Sequence, residues 1–320
     1  MDIRVLQGDV LEIGADVLVL KYAQRLYGVD NLVVDRIEAK GLAVSDTLPE
    51  PGGFKLIDTG GHLAEKSVLF VGVVDLQEFG YEAIREFSKR ALALLARSKS
   101  VAAHIAFTLH GAGYGLDESE AFRAEPAGVL DAIESRDCPS GINLVTIVER
   151  NVGRARRLQT LLEAIIPGHT AKLVIAERAT AQTALMRSAG VLSNTKPHIF
   201  VAMPFAPEFD DPFHYGIQQA VNAAGYLCER ADLATFTGDV LTWVKQRIDS
   251  ARLLVADLST ANPNVYLEVG YAWGKGIPTV LLARETTDLR FDVRGQRCLM
   301  YHSIRKLEDC ITSELKALRE

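Results

Sequence analysis

The residues best suited to chemistry lie in one block of the carboxyl-terminal half. It runs from Val255-Ala256-Asp257-Leu258-Ser259 through Asn262-Pro263-Asn264-Val265-Tyr266-Leu267-Glu268-Val269-Gly270-Tyr271-Ala272. An apolar strand ends at Asp257, and Asn262 with Pro263 suits the cap and first turn of a helix. Glu268 then falls early in that helix, beyond the carboxyl end of a strand, where open α/β sheets bind ligands. Its neighbours Leu267 and Val269 are apolar, so its carboxylate is either a reacting group or a partner of the helix dipole. Tyr271, three residues on, shares its face. Asp257 either orients a ligand or the Asn262 loop, or is an ordinary turn residue after a buried strand. A second block is His110-Gly111-Ala112-Gly113-Tyr114-Gly115, between an apolar run and a helical pattern around Glu118 to Ala124. Backbone amides in so tight a glycine loop can point at a diphosphate, with Tyr114 against a ribose, or the glycines simply make a turn. Arg230 and Asp232 read as a surface ion pair. Phe205, Phe209 and Phe213 are pocket walls or a small cluster under a loop, and His198, His214 and His302 show no partner pattern.

Apolar runs that alternate with helical periods must hold these groups in place. In the first half the runs are Ile3 to Leu6, Asp16 to Leu20, Ser67 to Val74, Ala103 to Leu109 and Asn143 to Val148. Ile84, Phe87, Ala91, Leu94 and Leu95 fall on one helical face, and a further helix spans Arg154 to Ile165 before Pro167-Gly168. In the second half, strands are expected at Ile199 to Met203, Leu253 to Asp257 and Pro278 to Leu282. Helices are expected around Ile217 to Ala224, closed by Gly225, around Val240 to Ile248, and from Asn262 to Lys275. This alternation predicts buried, mainly parallel sheets covered by helices, an α/β class. The chain divides at residues 1–167 and 196–320, with 168–195 as a connecting segment that carries one strand at Lys172 to Ile175.

With 320 residues, the chain is long enough for about two domains. Its 48% hydrophobic and 24% charged residues are those of an ordinary globular protein. A formal charge of -6 disfavours general nucleic-acid binding. No apolar stretch suffices to span a bilayer and Met1-Asp2-Ile3-Arg4 begins no signal peptide, so a cytoplasmic protein with no membrane partner is expected. Cys138, Cys228, Cys298 and Cys310 are scattered without metal-ligand spacing, which predicts reduced thiols and no metal site.

The opening Val5-Leu6-Gln7-Gly8-Asp9-Val10 and Ala15-Asp16-Val17-Leu18-Val19 resemble a macro domain, the ADP-ribose-binding α/β fold. Gly28-Val29-Asp30, Gly53 to Thr59, Lys66 to Gly72 and His110 to Gly115 continue the match in order. The resemblance implies a regulatory nucleotide site made by Asp9, Val10, Gly111, Ala112, Gly113, Tyr114 and Gly115, with Asp9 on an adenine amino group. Where catalytic macro domains carry paired asparagines, this chain has Lys21-Tyr22-Ala23-Gln24. That departure implies sensing rather than hydrolysis of ADP-ribose.

Met203-Pro204-Phe205, Arg230-Ala231-Asp232 and the Asp257 to Ala272 block resemble the superfamily of nucleoside 2-deoxyribosyltransferases and TIR-like NAD glycohydrolases. That likeness implies a flavodoxin-like parallel sheet with helices on both faces, and cleavage between an anomeric ribose carbon and a base nitrogen. Such a reaction needs a carboxylate, because base loss leaves an oxocarbenium-like sugar. Glu268, Asp257 and Tyr271 are the implied catalytic residues, and Met203, Pro204, Phe205, Asn262 and Asn264 the implied substrate contacts. Together the two resemblances imply a nucleotide-triggered NAD glycohydrolase like those of bacterial defence, with NAD as substrate, no required cofactor, and self-assembly as a homo-oligomer. Trp273 and Tyr266, if exposed, are the candidate anchors of that assembly. A deoxyribosyltransferase or nucleosidase, and a non-catalytic nucleotide-binding adaptor, are the alternatives. The arginine-rich stretch after Leu282 is a closing loop or an assembly surface.

Overall fold

The structure is a computed structural model that describes residues 1–98, 101–176, 181–230 and 240–318. It divides into two compact units, Met1–Ala112 with Glu118–Asn194, and Gly113–Asp117 with Thr195–Glu320.

In the first unit, strands β1 (Asp2–Gln7), β2 (Val17–Tyr22), β3 (Phe54–Asp58), β4 (Ser67–Gly72), β5 (His104–Thr108) and β6 (Leu144–Glu149) form one sheet. Its order is β1-β6-β5-β2-β4-β3, parallel throughout except for β3, which runs antiparallel to β4. The central strands are apolar on both faces because helices cover both: α1 (Gly28–Glu38), α2 (Tyr81–Arg97), α3 (Glu118–Glu134) and α4 (Val152–Ile165). On α2 the buried stripe includes Ile84, Phe87, Ala91, Leu94 and Leu95, as its period demands. Gly128 lets α3 approach α2 so closely that a Cβ there would run into the Arg85 carbonyl.

Two more helices, α5 (Ala171–Ala176) and α6 (Ala181–Ser188), follow. The strand expected at Lys172 to Ile175 is therefore a helix. The β-branched pair Val174-Ile175 is outweighed by helix-forming neighbours and by Val174 being buried in the first unit. Of the 168–195 stretch read from sequence as a connector, the described residues up to Asn194 cluster with this unit, and one side chain explains much of it. Arg85 donates from Nε and Nη2 to Asp131 at 2.7 and 2.8 Å. Its Nη1 donates to the carbonyls of Met186, Arg187 and Ala189 at 3.1, 2.8 and 2.7 Å. A guanidinium thus closes the end of α6, whose last carbonyls have no helical partner.

The second unit holds β7 (His198–Ala202), β8 (Leu227–Glu229), β9 (Leu253–Asp257), β10 (Thr279–Arg284) and β11 (Cys298–Tyr301). All pair in parallel, in the order β11-β10-β9-β7-β8. That is the flavodoxin-like order, which reverses direction between β7 and β9. A π-helical stretch, Pro212–Gln218, runs into α7 (Gln219–Ala223), and α8 (Val240–Ser250), α9 (Pro263–Gly274), α10 (Phe291–Arg294) and α11 (Ile304–Ala317) complete the layers. Alternate residues of β7 feed two cores: Ile199 and Val201 pack with Ile217, Leu307 and Ile311, whereas Phe200 and Ala202 pack with Trp243, Ile248, Val265 and Val269. The segment 113–117 belongs here because the buried Asp117 carboxylate accepts from the Cys228 amide at 2.8 Å and Asn222 Nδ2 at 2.7 Å. The chain is thus an α/β protein with one mixed and one parallel sheet. Among the described residues, no helix is long and apolar enough to cross a membrane.

Candidate functional site

The Asn262 side chain caps α9 by accepting from the Asn264 amide at 2.9 Å, and Pro263 fills the first helical position. From there Val265, Val269 and Ala272 form the stripe buried against the sheet. Tyr271 lies to one side of it and donates to both Asp249 oxygens of α8 at 3.0 Å, with Lys245 of α8 near its ring. That flank of α9 therefore faces α8. Glu268 falls between the stripe and Tyr271 around the helix. It is the sixth residue of α9 and so sits beyond the first turn, where the dipole acts most strongly. It makes no hydrogen bond or ion pair with a described residue. Glu268 is only half-buried, yet the protein around its carboxyl is dense enough to push its pKa up to about 7.

Asp257 is placed differently. It shares the strand face of Leu253 and Val255, which pack toward α7 and α11, whereas α9 packs on the face of Leu254 and Ala256. Glu268 and Asp257 are thus on opposite faces of the sheet. Fully buried, Asp257 accepts from the Ser259 amide at 2.9 Å and from the Tyr301 hydroxyl at 2.7 Å. Burial and this carboxylate push Tyr301 up to about 12. Ser259 Oγ in turn accepts from the Arg284 amide at 2.9 Å. Asp257 fixes the turn that leads into Asn262, a positioning role. Nothing in the sequence pointed to Tyr301, which closes a four-residue strand, Cys298–Tyr301, too short to show a period.

Met203, Pro204 and Phe205 follow β7 at the point where the strand order reverses. Met203 and Pro204 are buried and Phe205 is 39% exposed. The three phenylalanines divide: Phe209 and Phe213 belong to the core, while Phe205 is exposed. Arg230 stacks with its guanidinium carbon 3.9 Å from the Phe213 ring centre and 4.9 Å from that of Phe205, and stands 3.8 Å from Asp210. Ala231 and Asp232 lie outside the described residues. Arg284 stacks 4.4 Å from the Phe209 ring centre. The histidines have local partners: His198 bonds the Arg247 carbonyl at 2.8 Å, His214 meets Gln218 at 2.8 Å, and His302 meets Glu285 at 3.0 Å. In the arginine-rich stretch, Arg294 pairs with Asp288 at 2.9 Å and Arg297 with Glu314 at 2.7 Å. Trp273 is exposed, and Tyr266 is half-buried with its hydroxyl covered.

In the first half of the chain, Asp9 accepts from the Leu11 amide at 3.1 Å and pairs with Arg150 at 3.4 Å. Val10 fills the core of the first unit. Gly111 and Gly115 adopt φ of +82° and +91°, which side chains avoid, and a Cβ on Gly115 would also enter the Trp243 ring. A Cβ on Gly113 would meet no described residue within 4 Å. Ala112 and Tyr114 are half-buried. At the place of the paired asparagines, Lys21 is buried and pairs with Asp30 at 3.5 Å, where burial pushes the Asp30 carboxyl up against the pull of Lys21. His110 meets Glu125 at 3.2 Å, also buried. Gln24 donates to the Val73 carbonyl at 3.0 Å.

No protein-family model matches the chain, and no curated protein sequence matches it. Among solved structures, it is similar to a CMP N-glycosidase from Clostridium botulinum at a TM-score of 0.30 and 18% identity, over 38% of this chain and 97% of that one. It is also similar to a mutant tomato leucine aminopeptidase at a TM-score of 0.38 and 12% identity, over 99% of this chain and 89% of that one.

Proposed function

We propose that the second unit cleaves an N-glycosidic bond, with NAD as the substrate and Glu268 as the essential carboxylate. The observation that carries this reading is Glu268 itself: a carboxyl without a partner among the described residues, its pKa pushed up to about 7 by burial, on the helix that follows the carboxyl end of β9. A structural glutamate is normally paired, and this one has no partner among the described residues although burial raises its pKa. In the reaction the bond from C1′ of the ribose to the nicotinamide nitrogen breaks, and its electron pair leaves with the nicotinamide. The leaving group was a cationic pyridinium and departs neutral, so no general acid is needed. Ionised Glu268 stabilises or captures the oxocarbenium-like ribose, and water adds at C1′ to give ADP-ribose and a proton. Asp257, through Ser259 and Tyr301, fixes the turn from which α9 starts.

The amino-terminal half binds an ADP-ribose-like nucleotide as a signal through Asp9 and the 111–115 loop, and self-association of the chain supports activity. Incubation of the purified protein with NAD, and separately with a deoxynucleoside plus a free base, tests the reaction class. Free nicotinamide with ADP-ribose supports hydrolysis. Base exchange replaces it with transfer, and intact substrate in both, with or without ADP-ribose as signal, contradicts the enzyme reading.

A further inference from the structure

We infer that an anionic nucleotide bound at the glycine loop draws a proton onto the buried His110–Glu125 pair, so that the signal site responds to pH as well as to nucleotide. The inference rests on the reading of the 111–115 loop as the diphosphate contact. His110 is the residue before Gly111, just beyond the carboxyl end of β5. Its ring and the Glu125 carboxyl of α3 are both buried, with His110 Nδ1 3.2 Å from Glu125 Oε1. The other polar atom of each, His110 Nε2 and Glu125 Oε2, is covered and has no hydrogen-bond partner among the described residues. Rings close a further side: Phe87 and Phe79 stand edge-on, their centres 4.7 and 6.3 Å from that of His110.

The single hydrogen bond of this pair holds one proton, donated from Nδ1 to the carboxylate. A second proton, on the far nitrogen or the far oxygen, would find no fixed partner, so no hydrogen bond decides whether it is present. The surrounding charge decides instead. Two further ionisable groups share this interior. Lys21 of β2 pairs with Asp30 of α1 at 3.5 Å, both buried. Burial pushes the Asp30 carboxyl up, and Lys21 and His110 pull it back down, which places the imidazole within electrostatic reach of Asp30. Lys21 opposes a second proton on the His110 pair and Asp30 favours it, so these two act against each other. Strands β2 and β5 are neighbours in the sheet, and the cluster therefore gathers near the carboxyl ends of its central strands, where the glycine loop begins. A diphosphate on the loop amides adds negative charge beside this interior, where fields are weakly screened. The pair answers by taking up a proton from solvent. Linkage then requires the nucleotide to bind more tightly as pH falls.

Calorimetry with ADP-ribose on the full chain, in two buffers of equal pH and different heats of ionisation, counts the protons exchanged on binding. The unmodified chain should take up a fraction of one proton between about pH 5 and 8, where imidazoles ordinarily titrate. Its Kd should rise with pH severalfold, and by no more than about tenfold per pH unit, the limit for one proton. Glu125→Gln, which keeps an acceptor without the charge, and His110→Gln, which has no basic nitrogen, should each abolish the uptake and flatten the pH profile while ADP-ribose still binds. A merely structural pair would change affinity alike at every pH. Imidazole nitrogen shifts of His110, followed by NMR in the unmodified chain with and without ADP-ribose, give the same answer if neither variant folds. Binding without proton exchange, or uptake that survives in both variants, overturns the inference and leaves the loop as the nucleotide contact. No binding at any pH removes the loop reading and the inference together.

Discussion

At the scale of the residue, Glu268 has two pH signatures. Its folded pKa of about 7 exceeds the ordinary glutamate value of 4.5, so the folded protein binds this proton more tightly than the unfolded chain. The stability this gives is complete below about pH 4.5 and is lost as pH rises through about 7. Glu268→Gln should therefore leave stability near pH 4.5 unchanged and raise it at pH 8 by roughly 1–3 kcal/mol, read from urea midpoints. A dipole partner would instead lose stability when its charge is removed. The second signature is kinetic. Because the anion does the work and nicotinamide needs no acid, kcat/KM for NAD should climb through about pH 7 to a plateau. A falling limb there would assign Glu268 to proton donation. The sequence made this glutamate conspicuous by its apolar neighbours. It did not reveal that Asp257 points to the other face, because strand parity matters only once α9 is known to pack on one side. The stacking of Arg230 was not legible because its ring partners lie 17 and 25 residues earlier, beyond any local spacing.

At the scale of the element, the long amphipathic segments were legible and the short or remotely anchored ones were not. The stripe of α2 and the cap of α9 are local signals, and both elements stand where they were expected. β8 has three residues, and β3 is an edge strand with an exposed start and no alternation, so neither leaves a period to detect. Residues 168–194 lacked one too, since what holds them is Arg85, about a hundred residues away. Arg85→Ala should loosen α6 selectively, seen as faster amide exchange over 184–190 with slower loss in the central strands. Gly128→Ala should be worse, lowering global stability by about 2 kcal/mol or more, because α2 and α3 would have to separate. An unchanged melting profile for that variant would contradict the close approach. The glycine loop is more instructive still: Gly115 meets a demand of Trp243 and of its own φ, while no described residue lies within 4 Å of a Cβ at Gly113. If the loop is the nucleotide contact, Gly113→Glu, whose side chain would fill it and repel phosphate, should abolish ADP-ribose binding in calorimetry.

At the scale of the whole molecule, the two α/β units were visible as alternating apolar runs and helical periods. The 113–117 segment clustering with the carboxyl-terminal half was not, because a buried Asp117 looks like any aspartate before a helix. Self-association, if it supports activity, should make turnover per subunit fall across a hundredfold dilution, with sedimentation following the same concentrations. Constant turnover by a monomer would exclude it. The account as a whole stands on one carboxylate, and nicotinamide release by the unmodified chain and by Glu268→Gln, measured side by side with ADP-ribose present and absent, tests it most directly. A folded variant should lose about 100-fold to 1000-fold in turnover, the usual cost of one well-placed electrostatic group. A folded variant that keeps more than about a tenth of the activity would contradict the account, because no reaction through that carboxylate survives the loss of its charge so lightly.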